Sequence, residues 1–302
     1  MKKTCIIIAG PTASGKTALA IKLAQYFSTQ IISADSRQCY KELNIGVAKP
    51  SAGELSLVHH YFINSISVTE NNTAAGYEKY ALNSVQKIFE QNDIAVMVGG
   101  TGLYIKAFCE GLDDIPQTDE GIRKTIVTNY NNGGIEWLQA QVKKQDPDYF
   151  IQGEIFNPQR MMRALEVKIS TGQSITRFQR GQKKQRDFNI IKFGLELPRP
   201  VLYGRINKRV DDMISQGLEE EVKNLIAFKD LNALQTVGYR ELFDFFDGFI
   251  SRDKAIDLIK QNTRHYAKRQ LTWFKKDDAI KWIDMQDENK AFENIIKEVS
   301  FS

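Results

Sequence analysis

The chain is poor in the residues that staple or span. Its 302 residues include only three cysteines, Cys5, Cys39 and Cys109. They lie far apart and form no C-x-x-C pair. No disulfide framework is evident, and a reducing, cytoplasmic setting is expected. The three histidines, His59, His60 and His265, stand at no zinc-ligand spacing with those cysteines. No apolar run approaches the length of a membrane span, so no membrane role is expected. The opening M-K-K-T-C-I-I-I-A-G is basic and then apolar, like the front of a signal peptide. Its apolar run is short, however, and leads directly into a Gly-rich loop. It reads as a buried first strand with no secretion signal.

Acidic residues are scarce in two places. Between 157 and 192, nine Lys/Arg, among them Arg160, Arg163 and Arg180, face only Glu166 and Asp187, a net of +7. Between 260 and 276, six Lys/Arg face no acid. The whole chain carries only +4, so the rest is net acidic. Two concentrated basic segments on an acidic background fit a polyanion footprint, although solvated helix faces would read the same way.

Residues 10–17 read G-P-T-A-S-G-K-T, matching the phosphate-cradling pattern G-x-x-x-x-G-K-[ST]. The context agrees. T-C-I-I-I-A-G (4–10) predicts a buried strand, and Leu19, Leu23 and Phe27 recur at helical spacing after it. In such a loop Gly10, Pro11, Thr12, Ala13, Ser14, Gly15, Lys16 and Thr17 surround phosphate oxygens. Backbone N–H groups and the helix N-terminus hold the oxygens, and Lys16 adds a charge. The Thr17 hydroxyl is placed for Mg²⁺ or a phosphate oxygen.

What accompanies a nucleotide-hydrolysing P-loop is missing. The strand expected over 94–98, I-A-V-M-V, ends in Gly99-Gly100 with no carboxylate to hold metal. The guanine-reading N-K-x-D is also absent, because Asn207-Lys208-Arg209 is followed by Val210. A small-molecule kinase stays open. Asp35 closes the strand I-I-S-A-D (31–35), so its carboxylate faces the phosphate site as metal ligand, general base or plain turn cap. Thr101, in G-G-T-G-L-Y, brings a hydroxyl to the same rim, as a ligand-facing group or a helix N-cap.

Strands alternating with helices predict an α/β fold, a parallel sheet covered on both faces. A further strand is expected over 60–66, a helix over 74–91, and a returning strand over 190–197. Residues 115–189 show no strand signal and carry turn signals at 131–134, 146–147 and 157–158. They read as a helical insertion in a core formed by 1–114 and 190–302. The remainder is expected to be helical, over 199–216, 218–229, 237–246 and 252–275. A monomer is the default expectation.

Seven segments in order then resemble one family. They are G-P-T-A-S-G-K-T, D-S-R-Q-C-Y (35–40), N-I-G-V-A-K-P (44–50), G-G-T-G-L-Y (99–104), N-P-Q-R-M-M-R-A-L-E (157–166), T-V-G-Y-R-E (236–241) and T-R-H-Y-A-K-R-Q-L-T-W-F (263–274). Together, across roughly 270 residues, they look like the tRNA dimethylallyltransferases, also called tRNA isopentenyl transferases. The chain stops near 302 without the Cys/His zinc-finger extension of eukaryotic members, so it looks bacterial.

The resemblance implies a P-loop NTPase-like core. It also implies transfer of a dimethylallyl group from dimethylallyl diphosphate to N6 of the adenosine 3′ of the tRNA anticodon, with the P-loop and Mg²⁺ on the leaving diphosphate. By the same resemblance Asp35 is the base, and Thr101 stands near acceptor and diphosphate. RNA contacts then fall on Asp35, Ser36, Arg37, Gln38, Arg123, Gln159, Arg160, Met161, Met162 and Arg163. The base would have to leave the anticodon stack to reach an enclosed site. Arg205 and Arg209, one helical turn apart, are left between diphosphate binding and structural ion pairs. Met161 and Met162 also read as core fillers, and Tyr266 and Trp273 as packing residues. Two other enzyme readings share the P-loop: an adenylate isopentenyltransferase acting on free nucleotide, and the small-molecule kinase. The basic insertion argues against the first. A non-catalytic RNA-binding module is disfavoured by Asp35 beside an intact P-loop.

Overall fold

The computed structural model describes residues 2–179 and 181–300, so Arg180 of the basic segment lies outside the described residues. In chain order the elements are β1 (Thr4–Ala9), α1 (Lys16–Tyr26), β2 (Ile31–Ser33), α2 (Ala52–Leu57), β3 (His60–Tyr61), α3 (Ala74–Phe89), β4 (Ile94–Gly99) and α4 (Gly102–Glu110). Next come α5 (Glu120–Gln145), α6 (Pro147–Gln152), α7 (Pro158–Thr171), β5 (Asn189–Glu196), α8 (Arg199–Ser215) and α9 (Leu218–Lys223). The chain closes with α10 (Tyr239–Phe246), α11 (Arg252–Phe274), β6 (Ile280–Asp284) and α12 (Glu288–Ser300). Two compact units result, residues 1–109 with 185–302, and residues 110–184.

The first unit is a P-loop NTPase-like α/β fold. Its six strands are all parallel, in the order β3-β2-β4-β1-β5-β6. Every residue of β1 and β4 is buried, which explains their continuous apolar runs: both faces of a parallel sheet are covered. Alternation assigns the faces. Cys5, Ile7 and Ala9 join a core with residues of α3, α4, α9, α10 and α11, while Ile6 and Ile8 join one with α1 and α12. The chain leaves β1 toward β2 on one side and later adds β5 on the other. The crevice beyond the carboxyl ends of β1 and its neighbours is therefore the expected binding position.

Three differences from the sequence expectation have physical causes. The strand expected over 60–66 pairs only at His60–Tyr61, and Tyr40 bridges Ile66 alone beyond it. Phe62 and Asn64 take positive φ and turn the chain out of the ladder. The strand β6 lies beyond the last expected element, which ended at 275. As an edge strand it is half exposed, so it carries no continuous apolar run. The short α2 shows no apolar periodicity because none of its residues is buried; its capping box on Ser51 and Glu54 defines it.

The second unit has its own core, built from Ile126, Leu138 and Val142 of α5, Tyr149 of α6, and Met161, Met162, Leu165 and Val167 of α7. The turn signal at 131–134 appears as a break inside α5: Gly134 sits at φ 65°, ψ −163°, where a side chain would be strained.

Candidate functional site

Three loops meet beyond the sheet because their strands are neighbours. The P-loop follows β1, Asp35 follows β2, and Gly99-Gly100-Thr101 follows β4, and the sheet order sets β2, β4 and β1 side by side. A cavity of about 570 Å³ opens there, lined by residues of the first unit. Thr12, Lys16, Thr17, Asp35, Ser36, Arg37, Gln38, Gly99, Gly100 and Arg209 all reach it.

On the phosphate side, α1 begins at Lys16 with no side-chain cap, leaving its first N–H groups for a ligand. The Ser14 hydroxyl is fully buried and has no partner among the described residues, an orphan that a phosphate oxygen would satisfy. The Lys16 ammonium donates to the Pro11 carbonyl. Burial first, and then the like charge of Arg209, pull the Lys16 amine down to about 7, against the opposing pull of Asp35. An anion arriving between the two cations would reverse that penalty. Arg209 itself is pushed below its ordinary value by burial, and its guanidinium reaches the Thr12 hydroxyl at 3.3 Å. Neither Arg205 nor Arg209 forms an ion pair among the described residues. Arg209 stands in the cavity, and Arg205 has its Nη1 near Gly15.

On the opposite side, Asp35 Oδ1 accepts the backbone N–H groups of Arg37 at 2.8 Å and Gln38 at 3.2 Å. The turn cap and the cavity-facing carboxylate are thus one residue doing two jobs. Its Oδ2 makes no hydrogen bond among the described residues. Thr101 takes the Ser36 N–H at 3.0 Å and gives its own proton to Ser36 Oγ at 3.3 Å. Its hydroxyl therefore braces the Asp35-Ser36 turn. Arg37 donates to the carbonyls of Asn232 and Ala233, and Gln38 to those of Val47 and Ala48.

The second unit revises several expectations. Met161 is fully buried and Met162 nearly so, both inside the local core. The expected side-chain contacts of these two methionines with RNA are corrected to packing. Arg123 and Arg163 both bind the buried Glu166 carboxylate, at 2.9 and 3.3 Å, and Arg163 also reaches Thr118 and the Pro116 carbonyl. Gln159 and Arg160 are exposed at the start of α7, with Arg160 paired to Glu154.

Sequence reasoning missed much of the cavity wall. Gly46, Val47 and Ala48, Thr236 to Gly238, Glu241, Asn262, Tyr266 and Gln270 line it. Tyr266, expected only to pack, faces the cavity. Burial and then the Asp35 charge raise its hydroxyl well above the ordinary value. The buried Gln270 accepts the Thr12 N–H at 2.8 Å and donates to the Gly100 carbonyl at 2.9 Å, tying the P-loop to the β4 rim. All of these residues except Asn262, which immediately precedes one, lie in segments that carried the family resemblance, but nothing in local spacing marked them.

Fold and cavity together define a P-loop α/β protein whose loop opens onto the Asp35 carboxylate. A model of the IPP transferase family matches residues 38–277. The tRNA dimethylallyltransferase of Christiangramia forsetii is 48% identical over 290 residues, covering 96% of each chain. The crystal structure of the tRNA isopentenylpyrophosphate transferase of Bacillus halodurans is similar at 35% identity and a TM-score of 0.73, over 99% of this chain and 96% of that one. A eukaryotic dimethylallyltransferase, described as acting on tRNA, aligns at 25% identity and a TM-score of 0.77 over 98% of this chain and 77% of that one. The chain belongs to the IPP transferase family.

Proposed function

We propose that the chain transfers a dimethylallyl group from dimethylallyl diphosphate to N6 of the adenosine 3′-adjacent to the anticodon of tRNA (position 37), releasing diphosphate. The observation that carries this reading is that one cavity holds both an uncapped phosphate cradle and an unoccupied carboxylate oxygen. The relatives named for this reaction supply the substrates.

The chemistry follows from the placement of these groups. As the allylic carbon leaves, negative charge grows on the diphosphate. The first N–H groups of α1, the Ser14 hydroxyl, Lys16 and Arg209 are fixed donors for that charge, so they favour the transition state over the ground state. An adenine amine is a weak nucleophile that becomes acidic as its new C–N bond forms. Asp35 Oδ2 accepts that proton, while Oδ1 stays locked by two backbone N–H groups and fixes the direction of approach. Thr101 acts through Ser36, holding the turn that carries Asp35.

Mg²⁺ fits this loop as a companion of the diphosphate. Thr17 presents a hydroxyl, and no cluster of three His, Cys, Asp or Glu able to hold a metal unaided occurs among the described residues. When bound, it neutralises diphosphate charge.

On the RNA side, Ser36, Arg37 and Gln38 border the cavity, and Gln159 and Arg160 are exposed donors for an anticodon stem-loop. Exposed cations of the basic segments, such as Lys268, Arg269 and Lys276, contribute a sequence-independent phosphate attraction, whereas Arg186 and Lys192 are spent on ion pairs with Glu78 and Asp277.

The assay is transfer of label from radiolabelled dimethylallyl diphosphate, with Mg²⁺, to unmodified tRNA, AMP or ATP in parallel. Label is expected in tRNA. Label entering only AMP, or ATP turnover without label transfer, would overturn the assignment.

A further inference from the structure

The geometry points to Glu221 as a positioning residue that clamps one wall of the cavity and, through it, orients Asp35. This inference rests on the reading of the site given above. The wall is the segment Asn44–Lys49, which forms neither helix nor strand yet lends Gly46, Val47 and Ala48 to the cavity. Irregular backbone beside a binding site needs its N–H groups satisfied from elsewhere. Here three successive N–H groups converge on one carboxylate. Glu221 Oε2 accepts from Asn44 at 3.2 Å and Ile45 at 2.8 Å, and Oε1 accepts from Gly46 at 3.1 Å.

A fourth donor completes the set. The hydroxyl of the fully buried Tyr239 gives its proton to Glu221 Oε1 at 2.6 Å. Charge-assisted bonds of this kind are roughly twice as strong as neutral ones. The loop also lies directly on the Tyr239 ring. A Cβ on Gly46 would stand 2.5 Å from Tyr239 Cε2, so only glycine permits the contact. The N-I-G-V-A-K-P and T-V-G-Y-R-E segments therefore meet through Glu221, which lies on α9 outside both.

The wall connects to the base in two hydrogen-bonded steps. The Gln38 side-chain amide donates to the Val47 and Ala48 carbonyls at 3.2 and 2.9 Å, and the Gln38 backbone N–H donates to Asp35 Oδ1 at 3.2 Å. Lys49 anchors the far end, donating to the Tyr40 carbonyl and to Asn44 and Asn64. Freeing the wall would release Gln38, and with it one of the two bonds that aim Asp35. Misplacement of about 1 Å at a reacting group costs about a hundredfold in rate. Among the described residues the P-loop shares no hydrogen bond with this chain of contacts, so diphosphate affinity is expected to survive its loss.

The test compares Glu221→Gln with wild type and with Glu219→Gln, a control on the same helix whose side chain pairs with Arg252. Glutamine keeps the shape but turns one acceptor into a donor facing N–H groups. Per folded molecule, counted by inorganic diphosphate binding, E221Q is expected to lower kcat about 10- to 100-fold. Diphosphate affinity and KM for dimethylallyl diphosphate should stay within about twofold of wild type, and amide exchange at Asn44, Ile45 and Gly46 should accelerate. Tyr239→Phe, which keeps the carboxylate and the ring, should show a smaller loss of the same kind.

Wild-type kcat in E221Q would overturn the proposal. So would loss of kcat and diphosphate affinity together, since a purely structural role predicts that. If wild type itself moves no label to tRNA, the reading of the site fails and the clamp with it. If wild type and E221Q transfer alike, the clamp alone fails.

Discussion

Asp35 spends one carboxylate oxygen on its own turn and keeps the other for the cavity, and that division makes a sharp mutational test available. Asn in its place retains Oδ1 and therefore the two backbone bonds from Arg37 and Gln38, but replaces the free oxygen with an amide that accepts no proton. Asp35→Asn is expected to slow single-turnover transfer by about 10²–10⁴-fold, the usual worth of a general base, with diphosphate affinity by calorimetry unchanged. Transfer within tenfold of wild type would remove Asp35 from that role. The carboxylate was readable in the sequence because it closes an apolar strand beside a P-loop. Thr101 was readable as a rim hydroxyl but not as a brace, since its partner Ser36 lies 65 positions away. Glu221 was not readable at all: its backbone partners are 175 to 177 positions off, and a Glu on a short polar helix carries no local mark.

At the scale of elements, legibility followed burial. Strands β1 and β4, covered on both faces, announced themselves as apolar runs, whereas the half-exposed β6 and the unburied α2 did not. The edge strand β3 carries a titration of its own. His60 is buried, its Nδ1 meets the Val58 carbonyl at 2.8 Å, and its Nε2 has no partner among the described residues. The proton therefore sits on Nδ1, and a second proton would have to enter a buried site. Burial, the main cause, holds the ring below its ordinary value of 6.5. Because the unfolded chain protonates first, stability should fall as pH drops below about 6.5, by at most about 1.4 kcal/mol per pH unit. Above that pH the residue contributes no slope. Urea unfolding at pH 7.5, 6.5 and 5.5 should show the loss in wild type and a flatter dependence in His60→Gln; equal slopes would refute it. Helix α7 allows a second comparison. Arg123 neutralises a carboxylate that is 1% exposed, while Arg160 pairs with an exposed partner. Arg123→Ala should therefore cost about 1 kcal/mol of stability after discounting for its exposed guanidinium, read as a lower thermal midpoint. Arg160→Ala should leave the midpoint in place and flatten the salt dependence of tRNA binding by about one unit of slope. The reverse pattern would exchange their roles.

For the whole molecule, the alternation of strands and helices and the strand-free middle already announced a parallel sheet interrupted by helices. The partition observed, residues 110–184 apart from the rest, has a physical basis in separate cores: no residue of the cluster around Leu138 belongs to the sheet's clusters. The cavity, in turn, is lined by the sheet-bearing unit. These two facts make stability and ligand binding separable. Leu138→Ala removes a fully buried side chain from the smaller core and should cost that unit about 2–5 kcal/mol. Thermal unfolding should then split, with an early transition absent from wild type. Diphosphate affinity should hold at temperatures between the two transitions, because every P-loop donor stays in place. Affinity for tRNA should fall at those same temperatures, because Gln159 and Arg160 stand on a helix whose core has melted. Diphosphate and tRNA binding lost in step would mean that the two units unfold as one, and that the phosphate cradle depends on the helical unit for its shape.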